Sequence, residues 1–138
     1  METTYKMNMK PALIVLSLAL VFSLISNAYA YRSITSRVNR VTVDVRPEQL
    51  VNGQAVKFLV RMNTHSVNLA EDMLAVSELK DNNGKTYRPL NWQGSPPGGH
   101  HRSGTLEFPK LEGTPKTVTL VIRNVSHVPE RIFQWDIE

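Results

Sequence analysis

Strict alternation of apolar and polar residues in short runs is the feature that most constrains this chain. Val41, Val43 and Val45 alternate with Thr42, Asp44 and Arg46, and Val56, Phe58, Val60 and Met62 share one face of the next run. Side chains of an extended segment project to opposite faces in turn, so each run predicts a strand with one buried face. The same period places Leu106 and Phe108 inward after Gly104, then Val118, Leu120 and Ile122, and finally Phe133, Trp135 and Ile137. Turn formers separate the runs, chiefly Asn52-Gly53 and Asp81-Asn82-Asn83-Gly84, the second of which ends in the Asn-Gly pair of a hairpin. Arg46-Pro47-Glu48 is expected to end the first strand, and Pro89 to confine a returning strand over residues 85–92 to a sheet edge. Residues 69–80 mix helix formers with a strand pattern, which predicts a helical turn followed by a strand ending near Lys80. The sum is an all-β chain, a single antiparallel sandwich of about seven strands with no long helix in it. An immunoglobulin-like topology is expected, with a small closed barrel as the alternative.

Ahead of these runs, the first 30 of the 138 residues have a different character. Lys6 and Lys10 precede an apolar run from Pro11 to Ile25, and Ala28 and Ala30 form a small-x-small cleavage pattern. These are the marks of an N-terminal signal helix that is removed on export. A retained anchor is the alternative, and a span of that kind takes about 20 apolar residues. The expected organisation is a signal peptide over 1–30, an arm over 31–39 and a sandwich over 40–138. The mature protein would be periplasmic or extracellular, without membrane attachment once cleaved.

Composition removes several function classes. The chain has no cysteine, which excludes disulfides, thiolate metal sites and a Cys nucleophile. The formal charge of +4 falls to +3 without the leader, and its basic residues are dispersed among acids rather than clustered with aromatics. Nucleic acid is therefore not an expected partner. None of Ser66, Ser77, Ser95, Ser103 or Ser126 stands in a nucleophile elbow or beside a patterned base, so an enzyme is not expected either.

One stretch stands out from this scaffold, Asn91-Trp92-Gln93-Gly94-Ser95-Pro96-Pro97-Gly98-Gly99-His100-His101-Arg102-Ser103-Gly104. Two prolines followed by two glycines predict a shaped loop, and loops on rigid scaffolds are where binding groups concentrate. His65 at the end of the second strand, His100 and His101 in the loop and Asp72 form a candidate ligand set for Zn(II) or Cu(II), with Glu71 or Met73 as substitutes for the aspartate. Trp92, Gly98, Gly99 and Arg102 are the candidate binding loop, in which the guanidinium and loop amides can converge on an anion. A structural role is the competing expectation, with His65 capping a strand end, His100 and His101 packing on Trp92, and His127 a surface turn residue.

Thr64-His65-Ser66-Val67-Asn68-Leu69, Trp92-x-Gly94, the string Gly98-Gly99-His100-His101-Arg102-x-Gly104-x-Leu106-x-Phe108 and Val128-Pro129-Glu130-Arg131-x-Phe133-x-Trp135 together resemble an uncharacterised family of small exported bacterial domains with immunoglobulin-like sandwiches. The resemblance implies export, a β-sandwich and a motif set of Thr64, His65, Asp72, Trp92, His100, His101 and Arg102. It carries no activity. The expected function is an exported, non-enzymatic binding module that holds a metal ion or a protein partner through the His-rich loop. A structural accessory protein, in which the motif only stabilises the fold, is the alternative.

Overall fold

A computed structural model describes residues 30–138 of the chain; the expected signal helix lies outside them. They form nine strands in two antiparallel sheets, a sandwich-like all-β fold. The first sheet has the order β1 (Ile34–Val38), β2 (Val41–Gln49), β3 (Val56–Thr64), β7 (His101–Phe108), β6 (Asn91–Gly94). The second has the order β5 (Thr86–Tyr87), β4 (Ser77–Asp81), β8 (Thr117–Val125), β9 (Val128–Asp136). A four-residue helix, α1 (Met73–Val76), leads into β4.

Three sequence expectations change. The expected arm contains β1, which pairs with β2 from Ile34 opposite Val45 to Val38 opposite Val41. Its pattern was weak because it is a half-exposed edge strand, and its two-residue turn, Asn39-Arg40, takes positive φ without a glycine. The expected strand over residues 85–92 is two strands in different sheets. Proline has no N–H to give a ladder, so pairing with β4 stops at Tyr87, and pairing with β7 resumes when the Leu90 amide donates to the Glu107 carbonyl at 2.7 Å. Pro47 does not end β2. The Val45 carbonyl faces β1, accepting from the Ser33 hydroxyl, and Pro47, two residues on, faces the same side beyond the last β1 pair. The missing N–H therefore costs no ladder bond, and only a register shift between Pro47 and Gln49 marks the place.

Alternation sorts the residues as the sequence implies. Val43, Val45, Phe58, Val60, Met62, Leu106, Phe108, Leu120, Ile122 and Phe133 are fully buried between the sheets. The Phe58 ring meets the Trp135 indole across the sandwich at 5.2 Å between centroids, tilted by 34°, and Phe108 edge-on at 6.0 Å, the second being the T-shaped arrangement that ring quadrupoles favour. The hairpin at residues 81–87 is held by the Asp81 carboxylate, which accepts from the Asn83 and Lys85 amides and from the Tyr87 hydroxyl.

On the outer face of the second sheet, Glu78 is nearly covered by its neighbours and meets Lys80, Arg88 and Arg123 within 3.5 Å. Burial pushes its carboxyl pKa up, but the Arg123 and Lys80 hydrogen bonds and charges more than reverse this, and the net shift is below the ordinary 4.5. A lowered folded-state pKa stabilises the protein above the unfolded value, and the gain is lost as pH falls through the folded one. Glu78→Gln is therefore expected to lower stability by about 1–2 kcal/mol at pH 7. Urea midpoints of wild type and variant, measured across pH, should converge as the pH drops below 4.5.

Candidate functional site

The register brings the sequence-predicted residues to one pole of the sandwich. Thr64 ends β3 opposite Val41, Asn63 lies opposite His101 at the start of β7, and the Ser126-His127 turn joins β8 to β9 beside the Asn39-Arg40 turn. These last two turns clasp each other, with the Asn39 side-chain NH2 donating to the Ser126 carbonyl and the Ser126 hydroxyl to the Asn39 carbonyl. All four turn residues have positive φ, conformations that L residues hold only when surrounding contacts enforce them. His65, His100, His101 and His127 are exposed on this pole.

The expected loop over 91–104 is shorter than the sequence implies. β6 runs to Gly94 and β7 begins at His101, leaving residues 95–100 as the connection. A pair of strand glycines makes this hairpin possible. A Cβ on Gly94 would lie 2.4 Å from the Gly104 Cα, and one on Gly104 would lie 2.7 Å from both the Gly94 Cα and the Trp92 ring. The backbones close on each other, and the indole covers the gap.

The connection is tied to the segment after β3. The Gly98 amide donates to the Leu69 carbonyl at 2.7 Å, the Leu69 amide to the Gly99 carbonyl at 2.9 Å, and the Thr64 amide to the His100 carbonyl at 3.0 Å. The Gly99 amide donates to the Asn68 side chain. Gly98 and Gly99 have φ of +110° and +79°, which other residues rarely adopt. Their amides are thus engaged internally, not displayed for an anion.

Arg102 points the same way. Within β7 the side chains alternate, so His101 and Ser103 face outward while Arg102 and Gly104 face inward. Arg102 is 2% exposed. Its guanidinium donates to the Leu69 carbonyl at 3.1 Å, the Glu71 carbonyl at 2.7 Å and the Ser95 carbonyl at 3.5 Å, and lies 5.7 Å from the Trp92 ring centroid. The indole N–H donates to the same Ser95 carbonyl. Arg131, also 2% exposed, does the equivalent on the other side of the pole. It donates to the Ser36, Val38, Val41 and Val125 carbonyls and to the Ser36 hydroxyl, joining the two sheets. Burial lowers both guanidinium pKa values, and the Glu71 carboxylate opposes that shift at each. Neither arginine has an ion pair within 4 Å among the described residues.

The candidate metal ligands have separate surroundings. Asp72 caps α1, accepting from the Leu74 amide at 3.0 Å. Met73 is in the core, and Glu71 accepts from the Ser126 amide. His101 Nδ1 lies 2.9 Å from the Asn63 side-chain oxygen, which makes Nδ1 the donor and leaves Nε2 free. Among the described residues no three His, Asp or Glu side chains are grouped to hold an ion. The strand-end cap expected of His65 comes instead from the buried Thr64, whose hydroxyl accepts from the Ser66 and Val67 amides. The packing on Trp92 expected of the histidines comes from Arg102. Sequence reasoning missed the roles of Arg131, Asn63 and Asn68. The signal for Arg131 was its inward register with Phe133 and Trp135, which made it a charge in a buried column.

No family model, curated protein or solved structure matches this chain.

Gly104→Ala is expected to cost about 1–3 kcal/mol through overpacking against fixed backbone. Arg102→Lys keeps the charge but loses the planar fork that reaches several carbonyls, and should cost about 1.5–3 kcal/mol. Urea denaturation of each variant checks both values. A midpoint equal to wild type in Arg102→Lys would remove Arg102 from the role of anchor.

Proposed function

We propose that this protein is an exported, non-enzymatic binding module with an immunoglobulin-like sandwich, which presents its histidine-bearing pole to a protein partner. The topology supports the sandwich type. The order β2-β3-β7-β6 against β9-β8-β4-β5 follows the ABED and GFC arrangement of that fold, with β5 added at the edge of the second sheet and β1 at the edge of the first. The single observation that carries the partner reading is the division of labour along one strand. Arg102 and the glycines hold residues 95–100 rigidly against residues 64–71, while His65, His100 and His101 remain in solvent on that fixed platform. Groups held in place before binding lose little conformational entropy when a partner arrives.

The direction of the chain fits display. β1 begins at the opposite pole, where Tyr31 bonds to Leu50 and to Glu138. A leader, cleaved or retained, would therefore enter the domain at the end farthest from the histidines. β3, nine residues long, separates the two poles by about 30 Å. The metal reading survives only if ligands move together or a partner supplies one, because Asp72 is engaged as a helix cap. The accessory reading is favoured by one observation, that most of the motif's hydrogen bonds are internal.

The test is site-specific photocrosslinking in the producing cell from positions 65, 100 and 127, with Asn83 and Glu112 at the far pole as controls. The expected result is discrete adducts from the histidine pole alone. Equal adducts from both poles, or none, would contradict the proposal. In parallel, calorimetric titration with Zn(II) and Cu(II) should show no tight stoichiometric uptake. Tight uptake that disappears in the His100→Ala/His101→Ala double variant would replace the partner reading with the metal one.

A further inference from the structure

We infer that the depression beside His101 is a carboxylate-recognition site, which takes an acidic side chain or chain terminus of a polypeptide partner. The inference rests on the binding-module reading and names the chemistry of that surface. The depression, about 250 Å³, is lined by Arg61, Asn63, Ser95, His101, Arg102 and Ser103. Its lining offers one solvent-facing guanidinium, that of Arg61, and the His101 imidazole, and includes no acid. Arg61 lies opposite Ser103 and Asn63 opposite His101, so these four side chains share the outer face of the first sheet. Arg61 and His101 are diagonal neighbours on that face, about 7–8 Å apart, within reach of one small group.

The two groups are prepared in different ways. The Asn63 oxygen orients the His101 ring and leaves Nε2 free. Arg61 is exposed and has no ion pair within 4 Å among the described residues. Its nearest counter-charge is Asp44, opposite it on β2, whose Oδ1 already accepts from Ser33 and Thr35. Burial works against the Asp44 carboxylate, and the Ser33 and Thr35 hydrogen bonds with the Arg61 and Arg46 charges more than reverse it. Arg61 thus acts on Asp44 across the strands, while no ion pair within 4 Å among the described residues occupies its fork. The two terminal nitrogens of Arg102 are taken up by carbonyls and its Nε has no partner among the described residues, but its positive charge lies beneath the floor.

The available donors decide which anion fits. Phosphate sites usually gather several backbone amides in a nest or at a helix N-terminus. Here the Gly98 and Gly99 amides are bonded to Leu69 and Asn68, and the Ser103 amide is bonded to the Ser95 hydroxyl. What remains is a set of side-chain donors, the Arg61 fork, the His101 ring, the Asn63 NH2 and the Ser103 hydroxyl, in which the only planar fork matches a planar carboxylate held bidentately. The depression is large enough to admit one acidic side chain. The site is an open depression on a sheet face, whereas free small ligands are usually buried over most of their surface. A carboxylate attached to a polypeptide brings the rest of the contact with it.

The experiment titrates the purified, isotope-labelled protein with a short acetylated Gly/Ser peptide bearing one glutamate, the same peptide with glutamine, and inorganic phosphate, following the His101 ring by NMR. The glutamate peptide is expected to shift His101 saturably and the glutamine peptide not at all. Arg61→Gln should weaken the glutamate peptide about tenfold, the loss of one charge-assisted pair, with an unchanged urea midpoint. Arg46→Gln, on the same sheet face but outside the depression, should bind as wild type. Equal shifts from both peptides, or binding unaffected by Arg61→Gln, overturns the inference. Phosphate binding more tightly than the glutamate peptide, and lost with Arg61, also overturns it, since the site would then serve a free oxyanion. Pole-specific crosslinks that persist in Arg61→Gln alongside unaffected peptide binding would sink this inference and leave the binding-module reading standing. Glutamate-specific binding with no crosslinks would do the reverse.

Discussion

Two guanidinium groups buried without a paired carboxylate hold the histidine-bearing pole together. Where strands end, their last carbonyls lose ladder partners, and an unpaired carbonyl inside the protein is costly. Arg131 reaches carbonyls on β1, β2 and β8 from β9, so it fastens one sheet to the other at the point where both run out of pairing. Arg102 does the same for the segment after β3 and the connection before β7. Burying a charge is expensive, and here the expense is offset by many charge-assisted bonds and by the Glu71 carboxylate, whose field reaches both cations.

The rest of the pole follows from those anchors. The clasped turns at Asn39-Arg40 and Ser126-His127 hold positive φ because Arg131 fixes the strands on either side of them. The Gly98-Gly99 pair can take its conformation because Leu69 and Asn68 are already in place to receive it. A surface built this way is rigid where it touches the core and polar where it faces water. The alternation of β7 separates the two roles, with Arg102 and Gly104 serving the interior while His101 and Ser103 serve the surface.

Much of the fold was legible because burial imposes a period of two. Val41 to Val45, Val56 to Met62 and Val118 to Ile122 declared their strands, and Asn83-Gly84 declared its hairpin. β1 was not legible, since Ile34 and Val38 bury little and its turn carries no glycine. The crossover at Pro89 was read as an edge, not as a change of sheet, because one sequence cannot show which neighbour a strand chooses. At the site, the pattern of the glycines and Arg102 is legible in the sequence, but the inward direction of their amides and guanidinium is not. For Arg102 it follows from the register with Leu106 and Phe108 only once His101 is known to start a strand. Arg61 and Asn63 gave no signal by themselves, because only the pairing of β3 with β7 places them beside His101.

The most direct test of the anchored pole is amide hydrogen exchange in the free protein. If residues 95–100 are held as described, the Thr64, Leu69, Gly98 and Gly99 amides exchange as slowly as those inside the β3–β7 ladder. Exchange of these four amides at the rate of an open surface loop would contradict the account, and the exposed histidines would then have no fixed platform to stand on.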